Sequence, residues 1–257
     1  MHILHRTTSD FQEILLEKSP EDELRLTLAG DLQFRASEEY LYHRAIADWP
    51  MEGLSDRKNL NVLVLGGGDG LVVRNLLRYP NVGSITLLDI DAEVVELAKT
   101  QPDLVALNEG SFHSHKVKII IGDAFEEIPK ISMAFDYIVA DFPDPHVPVL
   151  GKLHTVEFYS SLARILAPEG IVVFEAPNVV HTRESYSCIV RTLGSVFQYV
   201  LGYSELIPSF GELGFVIASR TAILSPSARA KEIPLSELPP AGISDLANNL
   251  AYEYFAK

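Results

Sequence analysis

The 257 residues are 47% hydrophobic, ample for a core, and carry a formal net charge of −14, which argues against a nucleic-acid partner and suits a cationic one. One cysteine, Cys188, permits neither an intrachain disulfide nor a thiolate metal site and fits a reducing cytoplasm. No basic-then-apolar leader opens the chain and no apolar run reaches the ~18 residues of a membrane span, so neither secretion nor membrane insertion is expected.

Residues 1–55 read as a small β-meander followed by a helix. Phe11 to Glu17 and Glu23 to Leu28 alternate, with Ser19-Pro20-Glu21-Asp22 as the turn of an antiparallel hairpin. Ala29-Gly30-Asp31 is a second turn, and Leu32-Gln33-Phe34 a third short strand. Ser37 is placed to N-cap a helix with Glu38 and Glu39 in its first turn, running to about Ala47 and stopping before Pro50. Ser55 to Asn59 is a polar linker, and residues 56–257 form the second domain.

That second domain opens on strand Asn61 to Leu65, the turn Gly66-Gly67-Gly68-Asp69-Gly70, a helix from Leu71 to Tyr79 stopped by Pro80, and strand Ile85 to Leu88 ending on Asp89. Consecutive glycines let a ligand approach the backbone, and an acid about 20 positions beyond such a turn is placed to bind ribose hydroxyls. The rhythm continues with helix Ala92 to Thr100, strand Val117 to Ile121 before Gly122-Asp123-Ala124, and strand Phe135 to Ala140 before Asp141. Helix Thr155 to Leu166, strand Ile171 to Phe174 ending near Glu175, helix Thr182 to Val196 and strand Gly214 to Ser219 complete it. Such alternation predicts an α/β fold, a doubly wound, mostly parallel sheet whose ligands lie beyond the carboxyl ends of the strands.

Asp69, Asp89, Asp123 and Asp141 each stand at a strand end and are expected to converge on one crevice. Ala140-Asp141-Phe142-Pro143-Asp144-Pro145 sets two carboxylates in a proline-stiffened loop. No Ser/His/Asp triad or Cys/His pair is evident, His113 and His115 read as solvated, and no histidine set accompanies the carboxylates to hold a metal. Carboxylates without a cationic clamp suit a positively charged ligand such as a sulfonium nucleoside, whose alkyl group needs alignment and a base for the incoming nucleophile.

At these residues the chain resembles the spermidine synthase (polyamine aminopropyltransferase) family. The resemblance rests on the glycine turn, Leu88-Asp89-Ile90-Asp91, Gly122-Asp123-Ala124, Asp141 through Pro145, Glu157-Phe158-Tyr159, Gly30 through Gln33 and Glu38 through His43. The run from Asp141 to Tyr159 and Pro208 through Glu212 is most similar to a subgroup often fused to membrane segments, and no such segment is expected within these 257 residues. The resemblance implies a methyltransferase-like Rossmann domain after an N-terminal β-domain, a cytoplasmic homodimer, and decarboxylated S-adenosylmethionine as co-substrate with no tightly bound cofactor. By the same resemblance Asp89 holds the ribose, Asp123 the adenine amino group, Asp69 the cationic end of the aminopropyl arm and Gln33 the donor's tail. Gly66, Gly68 and Ala124 complete the donor site. Asp141 is the general base, and Asp144, Tyr42 and His43 position the polyamine. Asp89 stands where the family usually has glutamate, His146-Val147-Pro148 follows Asp144 in place of a glycine-proline-alanine run, and Ser209-Phe210-Gly211 replaces a tyrosine-bearing element. Two alternatives stay open: an S-adenosylmethionine-dependent methyltransferase, whose substrate carboxylate Asp69 and Asp141 would repel, and a catalytically silent nucleoside- or polyamine-binding protein.

Overall fold

Two sheets and the helices around them make up the computed structural model, which describes residues 1–143, 148–222 and 231–238. The N-terminal sheet is an antiparallel meander of β1 (His2–Thr8), β2 (Glu13–Lys18), β3 (Leu24–Leu28) and β4 (Asp31–Arg35). β1 was not foreseen; as an edge strand with its side chains largely exposed it carries no alternating apolar signal. Ile14, Leu16, Leu24, Leu26 and Phe34 form the inner face.

The chain then turns helical as α1 (Glu39–His43), a π-helical stretch (Arg44–Asp48) and α2 (Trp49–Glu52). Two expectations need correcting here. Ser37 is not the cap, because its hydroxyl donates to Glu23 instead, and Glu38 precedes the helix without a side-chain cap. Nor does the helix stop before Pro50. The wider π turn restarts the helix at Trp49, so Pro50 falls in a first turn, where its missing N–H costs nothing. Tyr137 and Tyr203 of the large sheet donate their hydroxyls to the Ile46 and Ala45 carbonyls, which ties this stretch to the sheet.

The large sheet holds β5 (Leu60–Gly66), β6 (Val82–Asp89), β7 (Val117–Ile121), β8 (Phe135–Asp141), β9 (Leu166–Ala176), β10 (Tyr199–Ile207), β11 (Gly211–Ser219) and β12 (Lys231–Ile233). Its order is β12-β10-β11-β9-β8-β5-β6-β7. The five strands from β9 to β7 are parallel, β11 runs antiparallel to β9, and β10 antiparallel to β11. The connecting helices are α3 (Leu71–Leu77), α4 (Ala92–Thr100), α5 (Pro102–Leu107), α6 (Ala124–Glu127), α7 (Pro148–Gly151), α8 (Val156–Ile165) and α9 (Arg183–Val196).

Alternation along the central strands feeds two cores. Val62 and Val64 of β5 face the side covered by α3 and the N-terminal meander, while Leu63 and Leu65 face α8 and α9. Among the described residues no helix is long and apolar enough to cross a membrane.

Candidate active site

The site is built around the turn between β5 and α3. Gly66, in register with Asp141 at the end of β8, has φ +76°, and a Cβ there would lie 2.1 Å from the Asp141 carbonyl oxygen. At Gly68 a Cβ would lie 2.7 Å from Asp89 Oδ2. Only glycine lets the turn lie flat against both acids.

Three of the four expected aspartates use one oxygen for the backbone of their own turn. Asp69 Oδ1 accepts from the Leu71 N–H at 2.9 Å, Asp89 Oδ1 from Asp91 N–H at 2.8 Å, and Asp123 Oδ1 from Phe125 N–H at 2.9 Å. Each carboxylate is therefore aimed as well as placed. Asp91 is itself fixed, because Ser9 Oγ (2.7 Å) and Gln12 Nε2 (3.1 Å) of the first meander turn donate to its Oδ2. The N-terminal sheet thus braces the segment that holds Asp89.

Asp141 is oriented from the other side of the crevice. Its Oδ1 accepts from the Tyr42 hydroxyl of α1, which also lies 3.0 Å from Glu175 Oε2 at the end of β9. Burial, then the negative charge of Asp69, pushes the Asp141 carboxyl up to about 6 against the pull of Tyr42 and His43. Burial likewise pushes Asp89 up to about 6, with Asp91 and Asp69 adding to it and the Asp91 and Gly68 N–H groups opposing. Asp69 is raised by burial, against the attraction of His43. These three acids lie within reach of one another's fields, as expected for a shared crevice.

A buried histidine and a lysine accompany them, so the expectation of a site without cationic clamps is revised. The His43 ring is buried, with Nδ1 2.7 Å from both the Glu39 carbonyl oxygen and Glu39 Oε2. Burial disfavours its charge, but Glu39, Asp69 and Asp141 outweigh burial and raise its proton affinity. Glu39 is held in turn by both guanidinium nitrogens of Arg74 at 2.8 Å. Lys152 is the second of these groups. It arrives on the turn before α8, pairs with Asp123 Oδ2 and lies 5.6 Å from the centroid of the Phe125 ring.

The structure therefore gathers Asp69, Asp89, Asp141, Tyr42 and His43 around the glycine turn. Asp123 lies one strand further along the same edge, next to Asp89 through the Gly122 N–H to Asp89 carbonyl bond of 2.9 Å, with Ala124 buried at the start of α6. The side-chain amide of Gln33 donates to the Asp31 carbonyl within its own strand at 3.2 Å. Asp144 lies outside the described residues. Sequence reading overlooked Glu175 and Lys152 as members of the site. Glu175 had a signal, since it too is an acid at a strand end; Lys152 had none, because its partner lies 29 residues away.

The profile of the spermine/spermidine synthase domain matches residues 39–226. Polyamine aminopropyltransferase 1 of Streptomyces coelicolor is 35% identical over 236 residues, 90% of this chain and 44% of that protein. The polyamine aminopropyltransferase of Oceanobacillus iheyensis is 38% identical over 234 residues, 91% of this chain and 44% of that protein. The chain spans less than half the length of these curated relatives. Among solved structures, a spermidine synthase in complex with the transition-state analogue AdoDATO superposes with a TM-score of 0.79 at 26% identity, covering 87% of this chain and 75% of that one. The spermidine synthase of Thermotoga maritima gives 0.78 at 26% identity, covering 87% and 74%.

Proposed function

The chain belongs to the spermine/spermidine synthase domain family, and on that premise we propose that it transfers an aminopropyl group from decarboxylated S-adenosylmethionine to a di- or polyamine, releasing methylthioadenosine. The observation that carries this reading is the trio Asp69, Asp89 and Asp141, half-buried and mutually repelling at the mouth of one glycine turn. Such a site is short of positive charge and gains from a ligand that brings it. A sulfonium nucleoside with an ammonium arm brings two such charges, and the acceptor amine a further one.

In the proposed mechanism Asp89 accepts from the ribose hydroxyls with the oxygen not used by Asp91. Asp69 pairs with the ammonium of the aminopropyl arm. Asp123 offers the adenine amino group the lone pairs left over from Phe125 N–H and Lys152. Gly66, Gly68 and Ala124 let the nucleoside lie against the backbone, and Gln33 is assigned to the donor's tail. Asp141, steered by Tyr42, takes a proton from the acceptor's ammonium group. The freed nitrogen lone pair forms the new C–N bond, the C–S bond breaks, and its electron pair stays on sulfur. Tyr42, His43 and Asp144 position the amine. Alignment supplies much of the rate, because the leaving sulfur is already cationic. Residues 1–55 and 56–257 are proposed as the two domains, and a cytoplasmic homodimer as the working form; the buried thiol of Cys188 is in keeping with a reducing compartment.

The test is to incubate the protein with decarboxylated S-adenosylmethionine and a panel of diamines and polyamines while following methylthioadenosine. Release that depends on an amine is expected. Methyl transfer from S-adenosylmethionine, or donor binding without turnover on any amine, would overturn the reading.

A further inference from the structure

The Tyr42 hydroxyl faces two carboxylates and has one hydrogen to give. Asp141 and Glu175 lie side by side, each one residue beyond the paired Ala140 and Phe174 of β8 and β9. Alternation turns both toward the face covered by α1. Tyr42 comes in from that helix with its oxygen against Asp141 Oδ1 and 3.0 Å from Glu175 Oε2. Were both acids ionised, one of these oxygen pairs would meet without a hydrogen between them. Both contacts are satisfied if the three oxygens share two hydrogens in a one-way chain, from Glu175 through Tyr42 to Asp141 or the reverse.

We propose that Glu175 is the far end of a hydrogen-bonded relay through Tyr42, so that the proton Asp141 takes from the acceptor amine leaves the site at Glu175. The inference rests on the aminopropyltransferase reading for its chemistry, though the chain of hydrogens exists without substrate. At rest Glu175 is protonated, donating to Tyr42, which donates to the ionised Asp141. Asp141 then takes a proton from the ammonium of the acceptor as the C–N bond forms and the C–S bond breaks. Half-buried Glu175 keeps access to water and releases its own proton there. The chain reverses, Asp141 passing its proton to Tyr42 while Tyr42 passes its hydrogen to Glu175, and the resting state returns. One proton leaves to solvent per turnover, and the phenol is never ionised, in line with the burial that holds Tyr42 well above an ordinary tyrosine.

Among the described residues, the charges acting on Asp141 include His43 from α1, Asp69 from the glycine turn and Asp89 from β6. His43 favours an ionised Asp141, while Asp69 and Asp89 oppose it and favour a hydrogen held between the carboxyl groups. Glu175 acts through Tyr42 and so positions the proton rather than touching the reacting atoms.

Infrared difference spectroscopy of the substrate-free protein at neutral pH tests the resting state. Wild type minus Glu175→Gln is expected to show the loss of one protonated-carboxyl stretch, sensitive to deuterium oxide. In the same variant kcat with decarboxylated S-adenosylmethionine and 1,4-diaminobutane is expected to fall about tenfold or more while the amine KM changes little. Tyr42→Phe cuts the same chain in the middle and is expected to shift the carboxyl stretch. Carboxyl bands unchanged in both variants, or a kcat in Glu175→Gln equal to wild type, overturns the relay. Loss of the band in a protein that turns over no amine upholds the hydrogen chain and defeats the aminopropyltransferase reading instead.

Discussion

Replacing Asp141 by asparagine is expected to make the protein more stable and inactive. In the fold its carboxyl sits at about 6 instead of 3.8, because burial and the charge of Asp69 oppose ionisation. At ~1.4 kcal/mol per tenfold change in proton affinity, keeping that charge costs the native state ~3 kcal/mol. Water reaching this half-buried group lowers the figure to ~2 kcal/mol. Asparagine keeps an oxygen for the Tyr42 hydroxyl and carries no charge, so it removes the cost without emptying the position. The sign follows from linkage. A carboxyl raised in the fold destabilises the native state above its folded value, and the penalty fades as pH falls toward the unfolded value, where both states bind the proton. Thermal unfolding of the substrate-free Asp141→Asn variant is therefore expected ~4–8 °C above wild type at pH values well above 6, with the gain vanishing near pH ~4. Calorimetric titration should show donor binding retained, while methylthioadenosine release falls at least a thousandfold, on the order expected for loss of a general base. A variant less stable than wild type at high pH, or one whose gain ignores pH, would refute the electrostatic account of the site. Turnover near the wild-type rate would remove Asp141 from the chemistry.

Three further outcomes follow from the same geometry. Arg74→Met should cost ~3–5 kcal/mol in denaturant unfolding, because it strands the buried Glu39 carboxylate that Arg74 holds with two bonds of 2.8 Å; a cost below ~1 kcal/mol would show that His43 alone suffices as partner. Gly68→Ala places a methyl 2.7 Å from Asp89 Oδ2 and should weaken donor binding about tenfold in calorimetry while the fold persists, since the carboxylate must move; unchanged affinity would remove Asp89 from the ribose. Asp123→Ala should lower stability by ~1 kcal/mol, through loss of the bond to Phe125 N–H, and also weaken donor binding. Affinity equal to wild type would end the adenine assignment.

Parts of the fold were legible because their signals are local. The glycine turn with its flanking strands emerges as Leu60–Gly66 and Val82–Asp89, joined by the helix Leu71–Leu77. Continuous apolar runs mark strands buried on both faces, and Gly66 is demanded by a left-handed φ. Other elements hid for physical reasons. β1 is half exposed, α5 buries only Leu104, and the burial of β10 does not alternate, so none carries a clear period. The helix beyond Asp48 crosses Pro50 by way of a π turn whose carbonyls are claimed by Tyr137 and Tyr203, partners from distant strands.

The sequence by itself determined which acids stand at strand ends, because strand period and glycine placement are written in neighbouring residues. That was enough to bring Asp69, Asp89, Asp123 and Asp141 to one edge. Only the tertiary structure decided what each acid meets there. Tyr42 reaches Asp141 across 99 residues and Glu175 across 133, while Lys152 closes on Asp123 from 29 away. Charge state depends on burial and on such neighbours, and neither is a property of the local chain. Chemistry was therefore readable as an inventory of groups, while proton affinities and hydrogen-bond direction came only from packing.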